Sequence, residues 1–313
     1  MNRDVKIFSS RKSKSLAEKI CKQYDGCGLD ELKLARFADN EFKIDIRTSC
    51  RGSDSFVISA CNSSAESIWE MMMIADSLKR ASSHKNIAVF AYLPYSRSDR
   101  KTSAREPISA KLLADCLQTA GYDRLVTVDL HASQIEGFYN IPVVHLSASY
   151  LFVPYIKQLN LKNMMLCSPD AGSVKNVKKY SDIFGVDMAI CHKHRSNPNE
   201  IGEMKLIGDV KGKDVVIIDD LVDTAGTLSS ASVLIKEMGA NSVRAAITHP
   251  VMSGEAYNNI KKSELVELIT TDTIPLKENE DLSKITVLSV DKMLADVIKR
   301  INQNKSVSTD FYL

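Results

Sequence analysis

The sequence predicts an α/β protein with two tandem domains, each a mainly parallel sheet flanked by helices. Predicted strands and helices alternate along the whole chain, which is typical of βαβ units around a parallel sheet. The β-branched stretch Val215–Ile218 has the character of a strand that is buried on both faces. A weak internal repeat places the same plan of strand, small-residue loop, helix and strand at Phe56–Pro94 and at Val215–Pro250.

The apolar periodicity predicts the elements of the first half in chain order. Strands are expected where β-branched and aromatic residues cluster, and helices where apolar residues recur at spacings of three and four. The predicted elements are strand Val5–Phe8, helix Ser13–Tyr24, strands Leu32–Phe37 and Phe56–Ala60, helix Ser64–Ser82, and strands Ile87–Tyr92 and Val143–Leu146.

The second half repeats this alternation. Strand Val215–Ile218 is followed by a loop and by a helix over Leu228–Met238, which stops at Gly239. We place the domain boundary near Ala148, although no Pro- or Gly-rich linker marks it. The C-terminal helix fits either half on sequence alone, and we assign it to the first. The predicted domains are residues 1–147 together with helix 292–303, and residues 148–290.

The composition limits the class of protein. Basic and acidic residues nearly balance at a formal charge of +2, so bulk charge does not drive nucleic-acid binding. The seven cysteines form no Cys-x-x-Cys pair, which is typical of reduced cytosolic thiols. No apolar run reaches membrane-spanning length, and the N-terminus lacks a signal-peptide core. We therefore expect a soluble cytoplasmic protein that binds neither nucleic acid nor membrane.

Three carboxylates and a run of small and hydroxylic residues follow strand Val215–Ile218. Two like charges about 4 Å apart near a protein surface repel by roughly 4 kcal/mol at an effective dielectric near 20, so the cluster is expected to bind hydroxyls or a cation. The helix that follows this loop favours an anion, because its first N–H groups are unpaired and its dipole is positive at that end. An ordinary acidic cap would need only one Asp. The pattern fits a sugar phosphate bound by Asp219, Asp220, Asp223, Thr224, Ala225, Gly226 and Thr227.

This run resembles the ribose-phosphate loop of type I phosphoribosyltransferases and of the ribose-phosphate pyrophosphokinase family. Five further stretches resemble the latter family in the same order, so the resemblance covers nearly the whole chain. It implies two tandem phosphoribosyltransferase-like domains. It also implies transfer of the diphosphoryl group of ATP to the anomeric hydroxyl of ribose 5-phosphate, giving 5-phosphoribosyl 1-pyrophosphate and AMP.

Three stretches of the first half resemble the nucleotide site of the family. Phe37 and two acidic residues alternate after a strand. Alone, this pattern is typical of a solvated strand edge. It matches, however, the run that contacts the nucleotide base in the family. A basic stretch follows strand Ile87–Tyr92 and resembles the polyphosphate segment, with Ser98 in place of Gln. The sequence DLHASQI resembles a third motif. The implied ATP-binding residues are Phe37, Asp39, Glu41, Arg97, Ser98, Asp99, Lys101 and His131.

The fourth and fifth stretches carry the expected metal and catalytic residues. Asp170 precedes a predicted helix, so it could serve as an ordinary helix N-cap. The resemblance implies that it also binds ribose 5-phosphate and, with His131, holds Mg²⁺. Lys193 and Arg195 are separated by one residue, so in an extended segment they point the same way. The resemblance implies that both stabilise charge during transfer, from a loop that is predicted to be mobile.

Regulation and assembly follow from the resemblance alone. It implies a homo-oligomer, often a hexamer, with inorganic phosphate as activator. The residues that match the regulatory site of the family are Ser49, Arg51, Ser306, Val307 and Ser308. Two other functions stay open: a type I phosphoribosyltransferase, which shares the acidic loop but transfers a base, and a non-catalytic, synthetase-associated regulatory subunit.

Overall fold

The structure is a computed structural model, and it describes residues 3–24, 27–60, 64–194 and 203–307. It contains two mainly parallel sheets flanked by helices, which confirms the predicted fold class. The described residues up to Ser147 and from Ser289 onward cluster into one compact unit, here called unit 1. Those from Ala148 to Leu288 form unit 2. Within the described ranges no helix is both long and apolar enough to cross a bilayer.

The helices and strands are numbered along the chain. The first half contains β1 (Val5–Ser9), α1 (Lys14–Gln23), β2 (Leu32–Arg36), β3 (Phe42–Ile46), β4 (Asp54–Ser59), α2 (Ala65–Arg80), β5 (Lys85–Phe90), α3 (Ser109–Ala120), β6 (Arg124–Val128) and β7 (Val143–Leu146). The second half contains α4 (Ser149–Gln158), β8 (Met164–Ser168), α5 (Val174–Phe184), β9 (Met188–His194), β10 (Glu203–Ile207), β11 (Asp214–Val222), α6 (Gly226–Glu237), β12 (Ser242–Pro250), α7 (Ala256–Lys262), β13 (Glu267–Thr271), β14 (Ile285–Leu288) and α8 (Asp291–Asn302).

Unit 1 is built around a parallel sheet in the order β1-β4-β5-β6-β7. Strands β4 and β5 are buried along nearly their whole length, which explains their continuous apolar runs. Residues of α2 and α3 share a hydrophobic cluster with the sheet, and α1 packs against β1 and α8. The strand order follows the chain order, so the loops after β5 and β6 are neighbours at the carboxyl edge of this sheet.

Unit 2 is built around a sheet in the order β10-β9-β8-β11-β12-β13-β14, in which only the β9–β10 pair is antiparallel. From β8 the chain runs outward through β9 to β10. It then returns to the other side of β8 as β11 and continues to β14. The strand order therefore reverses between β8 and β11. In open α/β sheets, ligands bind at the carboxyl ends of the strands at such a point.

The structure corrects two predicted strand boundaries. The strand predicted over Val215–Ile218 continues to Val222, because β12 supplies ladder partners as far as the Val222–Pro250 pair. Two of the three acidic residues therefore lie on the strand and not in a tight turn. The strand predicted over Leu32–Phe37 ends at Arg36 and turns back as β3, a hairpin partner that the sequence reading missed.

The C-terminal helix α8 belongs to the core of unit 1. Its apolar stripe is buried, with Met293, Leu294, Val297 and Ile298 fully inaccessible to solvent. The side-chain amide of Asn302 donates to the Arg3 carbonyl at 3.0 Å, which ties the end of the helix to the segment before β1. Helix α8 therefore returns the chain to unit 1 after unit 2 is complete.

Replacing Ile298 by Ala tests the contribution of α8. The change removes a fully buried side chain, so the free energy of unfolding of unit 1 should fall by about 2–5 kcal/mol in urea denaturation. Lys305→Ala, at an exposed position beyond the helix, should change it by no more than about 0.5 kcal/mol. Equal stability of the two variants would exclude α8 from the cooperative core.

Candidate active site

Two loops of unit 2 lie at the reversal of strand order. Loop Pro169–Ser173 follows β8, and loop Asp223–Ala225 follows β11. The Ser173 hydroxyl donates to Oδ1 of Asp219 at 2.5 Å, and the backbone amide of Asp220 donates to the same oxygen at 3.0 Å. The loop after β8 is therefore joined directly to the acidic end of β11.

Asp170 shapes the first of these loops. Its Oδ1 accepts the backbone N–H groups of Gly172 at 2.8 Å and Ser173 at 3.0 Å. The Ser168 hydroxyl donates to the Asp170 carbonyl at 2.7 Å. A carboxylate that accepts amide hydrogens just before a helix acts as a cap, so the capping interpretation applies to Asp170. With Oδ1 engaged, Oδ2 of this exposed side chain is the oxygen that can face a ligand.

The second loop presents a helix N-terminus. Ala225 adopts a left-handed conformation with φ +59°, which is uncommon for a residue other than glycine. The Asn259 side chain donates to the Thr224 carbonyl at 2.8 Å, and the Asp223 carbonyl accepts an amide from the segment before α7. The first amides of α6 have no intrahelical acceptor, and the side chains of Thr224 and Thr227 are exposed beside them. This loop is therefore suited to a phosphate.

Burial and charge perturb the acidic pair on β11. Burial and, after it, the neighbouring Asp220 carboxylate raise the pKa of Asp219 to about 8, although the Ser173 hydroxyl opposes the shift. Asp219 is therefore largely protonated at pH 7 in the ligand-free chain. The pair then carries nearer one negative charge than two, which reduces the repulsion that three clustered aspartates would otherwise create.

The base-contacting residues predicted in unit 1 lie at the tip of the β2–β3 hairpin. Phe37 donates its backbone N–H to the Glu41 carbonyl at 2.7 Å, and the Glu41 amide donates to Oδ1 of Asp39 at 3.1 Å. The Phe37 side chain is 56% exposed. These residues follow strand β2, and the chain turns among them at Asn40, where φ is +72°. The Ala-Asp-Asn run before the second strand was the signal for this turn.

A stacked cluster holds the hairpin on helix α2. The guanidinium groups of Arg11 and Arg36 each lie over the Phe42 ring, at 5.6 and 5.4 Å from the ring centroid. Arg36 pairs with Glu66 of α2 at 2.9 Å and holds the pKa of that carboxyl below its usual value. The backbone N–H of Arg11 donates to the buried Glu70 carboxylate at 2.7 Å. Sequence reasoning missed this cluster, because its members are far apart in sequence.

The predicted polyphosphate segment follows β5. Arg97 and Lys101 are exposed, and the Asp99 carboxylate accepts a hydrogen bond from the Gln134 amide at 3.0 Å. This contact joins the segment to the stretch after β6, as expected for neighbouring strands. Ser98 contributes backbone contacts: its N–H donates to the Tyr95 carbonyl, and its carbonyl accepts from α3.

The loop after this segment closes on Glu106. Its carboxylate accepts hydrogen bonds from the backbone amides and hydroxyls of Thr102 and Ser103, at 2.7–3.0 Å. The Ser103 and Thr102 hydroxyls, together with the two amides, lower the pKa of Glu106 to about 2. The loop therefore has a negatively charged centre beside the exposed Lys101 and Arg105, a feature that the basic composition of the stretch concealed.

The predicted histidine follows a strained turn at the end of β6. Asp129 has φ +30°, and its N–H donates to the Leu146 carbonyl at 2.9 Å. The Leu130 N–H donates to Nε2 of His145 at 2.9 Å. His131 is exposed immediately after these contacts. The turn thus directs His131 away from the apolar interior of unit 1.

The remaining predicted residues are described in part. The backbone of Lys193 lies on β9 and pairs with Met204 of β10. Arg195 and Ser308 lie outside the described residues, as do residues 196–202 of the loop that is predicted to be mobile. Arg51 donates to the Ser82 hydroxyl at 3.4 Å, and Ser306 accepts from Arg300 at 2.8 Å through its carbonyl. Ser49 is exposed and Val307 is half-buried.

The side chains of the described residues can be compared with the ligands that Mg²⁺ prefers. Mg²⁺ prefers oxygen ligands, keeps several waters and is commonly completed by substrate phosphates. Among the described residues, no group of three or more His, Cys, Asp or Glu side chains could hold a metal ion. The exposed Oδ2 of Asp170 is suited to a cation that takes most of its ligands from substrate and water.

Comparison with known proteins finds similarity along the whole chain. Residues 5–121 match the N-terminal domain of ribose phosphate pyrophosphokinase, and residues 194–312 match the phosphoribosyl synthetase-associated domain. The chain is 44% identical over 307 residues to a ribose-phosphate pyrophosphokinase of Porphyromonas gingivalis. The matched region covers 98% of this chain and 97% of that protein. It is 43% identical over 310 residues to one of Campylobacter jejuni, with 99% of each covered. A crystal structure of phosphoribosylpyrophosphate synthetase from Mycobacterium smegmatis matches with a TM-score of 0.91 at 36% identity and covers 96% of this chain and 100% of that one.

Asp219→Asn should remove a pH-dependent penalty on folding. The variant keeps an oxygen for Ser173 and for the Asp220 amide but cannot ionise. Because folding raises the pKa of Asp219, the wild type loses stability as pH rises from about 4 to about 8, by up to about 1.4 kcal/mol per pH unit. The melting temperature of the variant relative to wild type should therefore rise over this range and level off above pH 8.

Calorimetry of the ligand-free proteins between pH 5 and 9 checks this prediction. Asp187→Asn, at an exposed position of the same unit, serves as the matched control and should show no such trend. A difference between Asp219→Asn and wild type that stays constant with pH would contradict the raised pKa.

Proposed function

The chain belongs to the ribose-phosphate pyrophosphokinase family, and from this membership we infer that it transfers the diphosphoryl group of ATP to the anomeric hydroxyl of ribose 5-phosphate. The products are 5-phosphoribosyl 1-pyrophosphate and AMP. The observation that carries this conclusion is identity of more than 40% across both halves of the chain. A type I phosphoribosyltransferase would need only the unit with the acidic loop. The chain is a transferase of phosphorus-containing groups.

Unit 2 is assigned to ribose 5-phosphate. The amides at the start of α6, with the hydroxyls of Thr224 and Thr227, would bind the 5-phosphate, supported by the small residues Ala225 and Gly226. Asp220 and Asp223 would accept the ribose hydroxyls. Asp219 and Asp170, each with one oxygen engaged within the protein, would hold the two loops in shape while presenting the other oxygen to the ligand. Loop geometry at the reversal of strand order supports this assignment.

Unit 1 is assigned to ATP. The exposed Phe37 ring can stack on adenine, and the acidic residues beside it, Asp39 and Glu41, can accept the exocyclic amine. Arg97 and Lys101 supply exposed cations for the polyphosphate, with Ser98 and Asp99 as neighbours. His131 would lie near the phosphates. We infer that the two structural units correspond to the two phosphoribosyltransferase-like domains.

Magnesium is proposed as the cofactor. Asp170 would contribute an oxygen ligand in unit 2, and His131 is the residue of unit 1 that the family resemblance assigns to the metal. When bound, the ion neutralises charge on the transferred phosphates. We also propose a cytoplasmic homo-oligomer, as a hexamer, with inorganic phosphate as activator. The regulatory contacts are assigned to Ser49, Arg51 and Ser306–Ser308.

Lys193 and Arg195 are proposed to stabilise charge on the diphosphoryl group during in-line displacement. The reaction needs positioning and electrostatic stabilisation more than covalent chemistry. A cationic side chain in phosphoryl transfer is worth about 10³–10⁵ in rate, or roughly 4–7 kcal/mol at about 1.4 kcal/mol per decade. The backbone of Lys193 lies near the carboxyl end of β9, directly before the loop that is predicted to be mobile, and this position supports the proposal.

The overall reaction is tested by incubating the purified chain with ATP, Mg²⁺ and ribose 5-phosphate, with and without inorganic phosphate. AMP and 5-phosphoribosyl 1-pyrophosphate should form in equal amounts, and only when ATP, Mg²⁺ and ribose 5-phosphate are all present. No AMP in this assay, together with release of pyrophosphate when 5-phosphoribosyl 1-pyrophosphate and a free base are supplied instead, would identify a phosphoribosyltransferase. A folded chain that has neither of these two activities would favour the non-catalytic regulatory subunit.

Lys193→Ala tests the catalytic assignment. Turnover should fall by about 10³–10⁵. Folding and ribose 5-phosphate affinity should barely change, because the lysine is assigned to the transferring group and not to the sugar. Rate measurement at saturating substrates, with titration calorimetry for the sugar phosphate, checks both. Lys262→Ala, at an exposed position on α7, is the control and should keep wild-type turnover. Turnover near wild type in Lys193→Ala would remove Lys193 from catalysis.

A further inference from the structure

The turn that presents His131 is held by a residue from the neighbouring strand. The carboxyl end of β6 turns at Asp129, where φ is +30°, a strained value for a residue with a side chain. Such a conformation persists only where neighbouring groups hold it. Two hydrogen bonds from the turn to β7 do so: Asp129 N–H to the Leu146 carbonyl and Leu130 N–H to Nε2 of His145, each at 2.9 Å.

The second of these bonds requires one form of His145. Nδ1 of His145 lies 2.8 Å from Oε1 of Glu136, and an ionised carboxylate can only accept a hydrogen bond. Nδ1 therefore carries the hydrogen, and Nε2 keeps the lone pair that accepts the Leu130 N–H. Both bonds form together only in this neutral tautomer. Glu136 thus sets the tautomer, and His145 sets the position of the Leu130 amide.

The location of this bond links it to catalysis. The His145 side chain is 20% exposed, and Leu130 is 8% exposed, so water is poorly placed to substitute for the lost acceptor. The bonded amide belongs to the residue directly before His131. Any movement of Leu130 therefore moves the His131 backbone as well.

We infer that His145, oriented by Glu136, is a positioning residue that fixes the backbone on which His131 approaches the nucleotide phosphates. The inference rests on the proposed function in one respect, the placement of His131 near ATP. His145 does not touch substrate in this account. It acts through the Leu130 amide alone, and it constrains a segment that belongs wholly to unit 1.

Two substitutions separate the acceptor from the bulk of the side chain. Gln at position 145 places an amide oxygen about as far from Cα as Nε2, so His145→Gln should keep the bond to Leu130. His145→Leu fills similar space without an acceptor. Tyr122→Phe is the control, because it removes a buried hydrogen bond of unit 1, from the Tyr122 hydroxyl to the Met71 carbonyl at 2.9 Å, that involves no predicted site residue.

Hydrogen–deuterium exchange of the full chain measures the contact independently of activity. In His145→Leu the Leu130 amide should exchange about 5- to 10-fold faster than in wild type, in line with the loss of one hydrogen bond. In His145→Gln and Tyr122→Phe its exchange should match wild type. Unchanged exchange in His145→Leu would overturn the inference, whether or not the protein makes AMP.

Kinetics then test the consequence for the reaction. For His145→Leu, kcat for AMP release should fall by about 10- to 100-fold, because small displacements of reacting groups are costly. Its KM for ribose 5-phosphate should stay within about twofold of wild type. His145→Gln should recover most of kcat, a rescue that general loss of stability would not produce.

The outcomes distinguish the two claims. Faster Leu130 exchange with wild-type kcat in His145→Leu would overturn the positioning role. Failure of the wild-type chain itself to release AMP would instead overturn the proposed function, while the exchange measurement would still decide the contact.

Discussion

The hydrogen bond between the Ser173 hydroxyl and the Asp219 carboxylate is the contact on which the proposed sugar-phosphate site depends. Reversal of the strand order places the loops after β8 and β11 side by side, and this bond of 2.5 Å sets their spacing. It requires Asp219 to be buried beside Asp220, which raises the pKa of Asp219 to about 8. A group held largely protonated at neutral pH lets the acidic strand end fold before any ligand neutralises it.

Unit 1 holds its predicted site segments in a different way. Several of them are tied by side chains that engage backbone groups: Glu106 accepts two amides of its own loop, and His145 accepts the Leu130 amide. Side-chain pairs from distant parts of the sequence complete the arrangement, as in Asp99 with Gln134 and the stacking around Phe42. The side chains that are proposed to face substrate can therefore stay exposed while their backbones are held in place.

The sequence predicted those parts of the structure that depend on interactions between residues close together in the chain. Four β-branched residues in a row indicated the centre of β11, and the acidic-then-hydroxylic run after them indicated an anion site at a helix start. The extension of β11 to Val222 could not be seen, because its cause is pairing with β12. The β2–β3 hairpin was missed for a related reason: Phe42 is held by Arg11 and Arg36, contacts that no local pattern reveals.

A crystal structure with ribose 5-phosphate bound tests the central claim most directly. The phosphate is expected within hydrogen-bonding distance of the backbone amides of residues 224–227, with the ribose hydroxyls on the carboxylates of Asp220 and Asp223. Ser173 and Asp219 are expected to remain hydrogen-bonded to each other. Density for the sugar phosphate elsewhere on the chain, with the loop after β11 empty, would contradict the account.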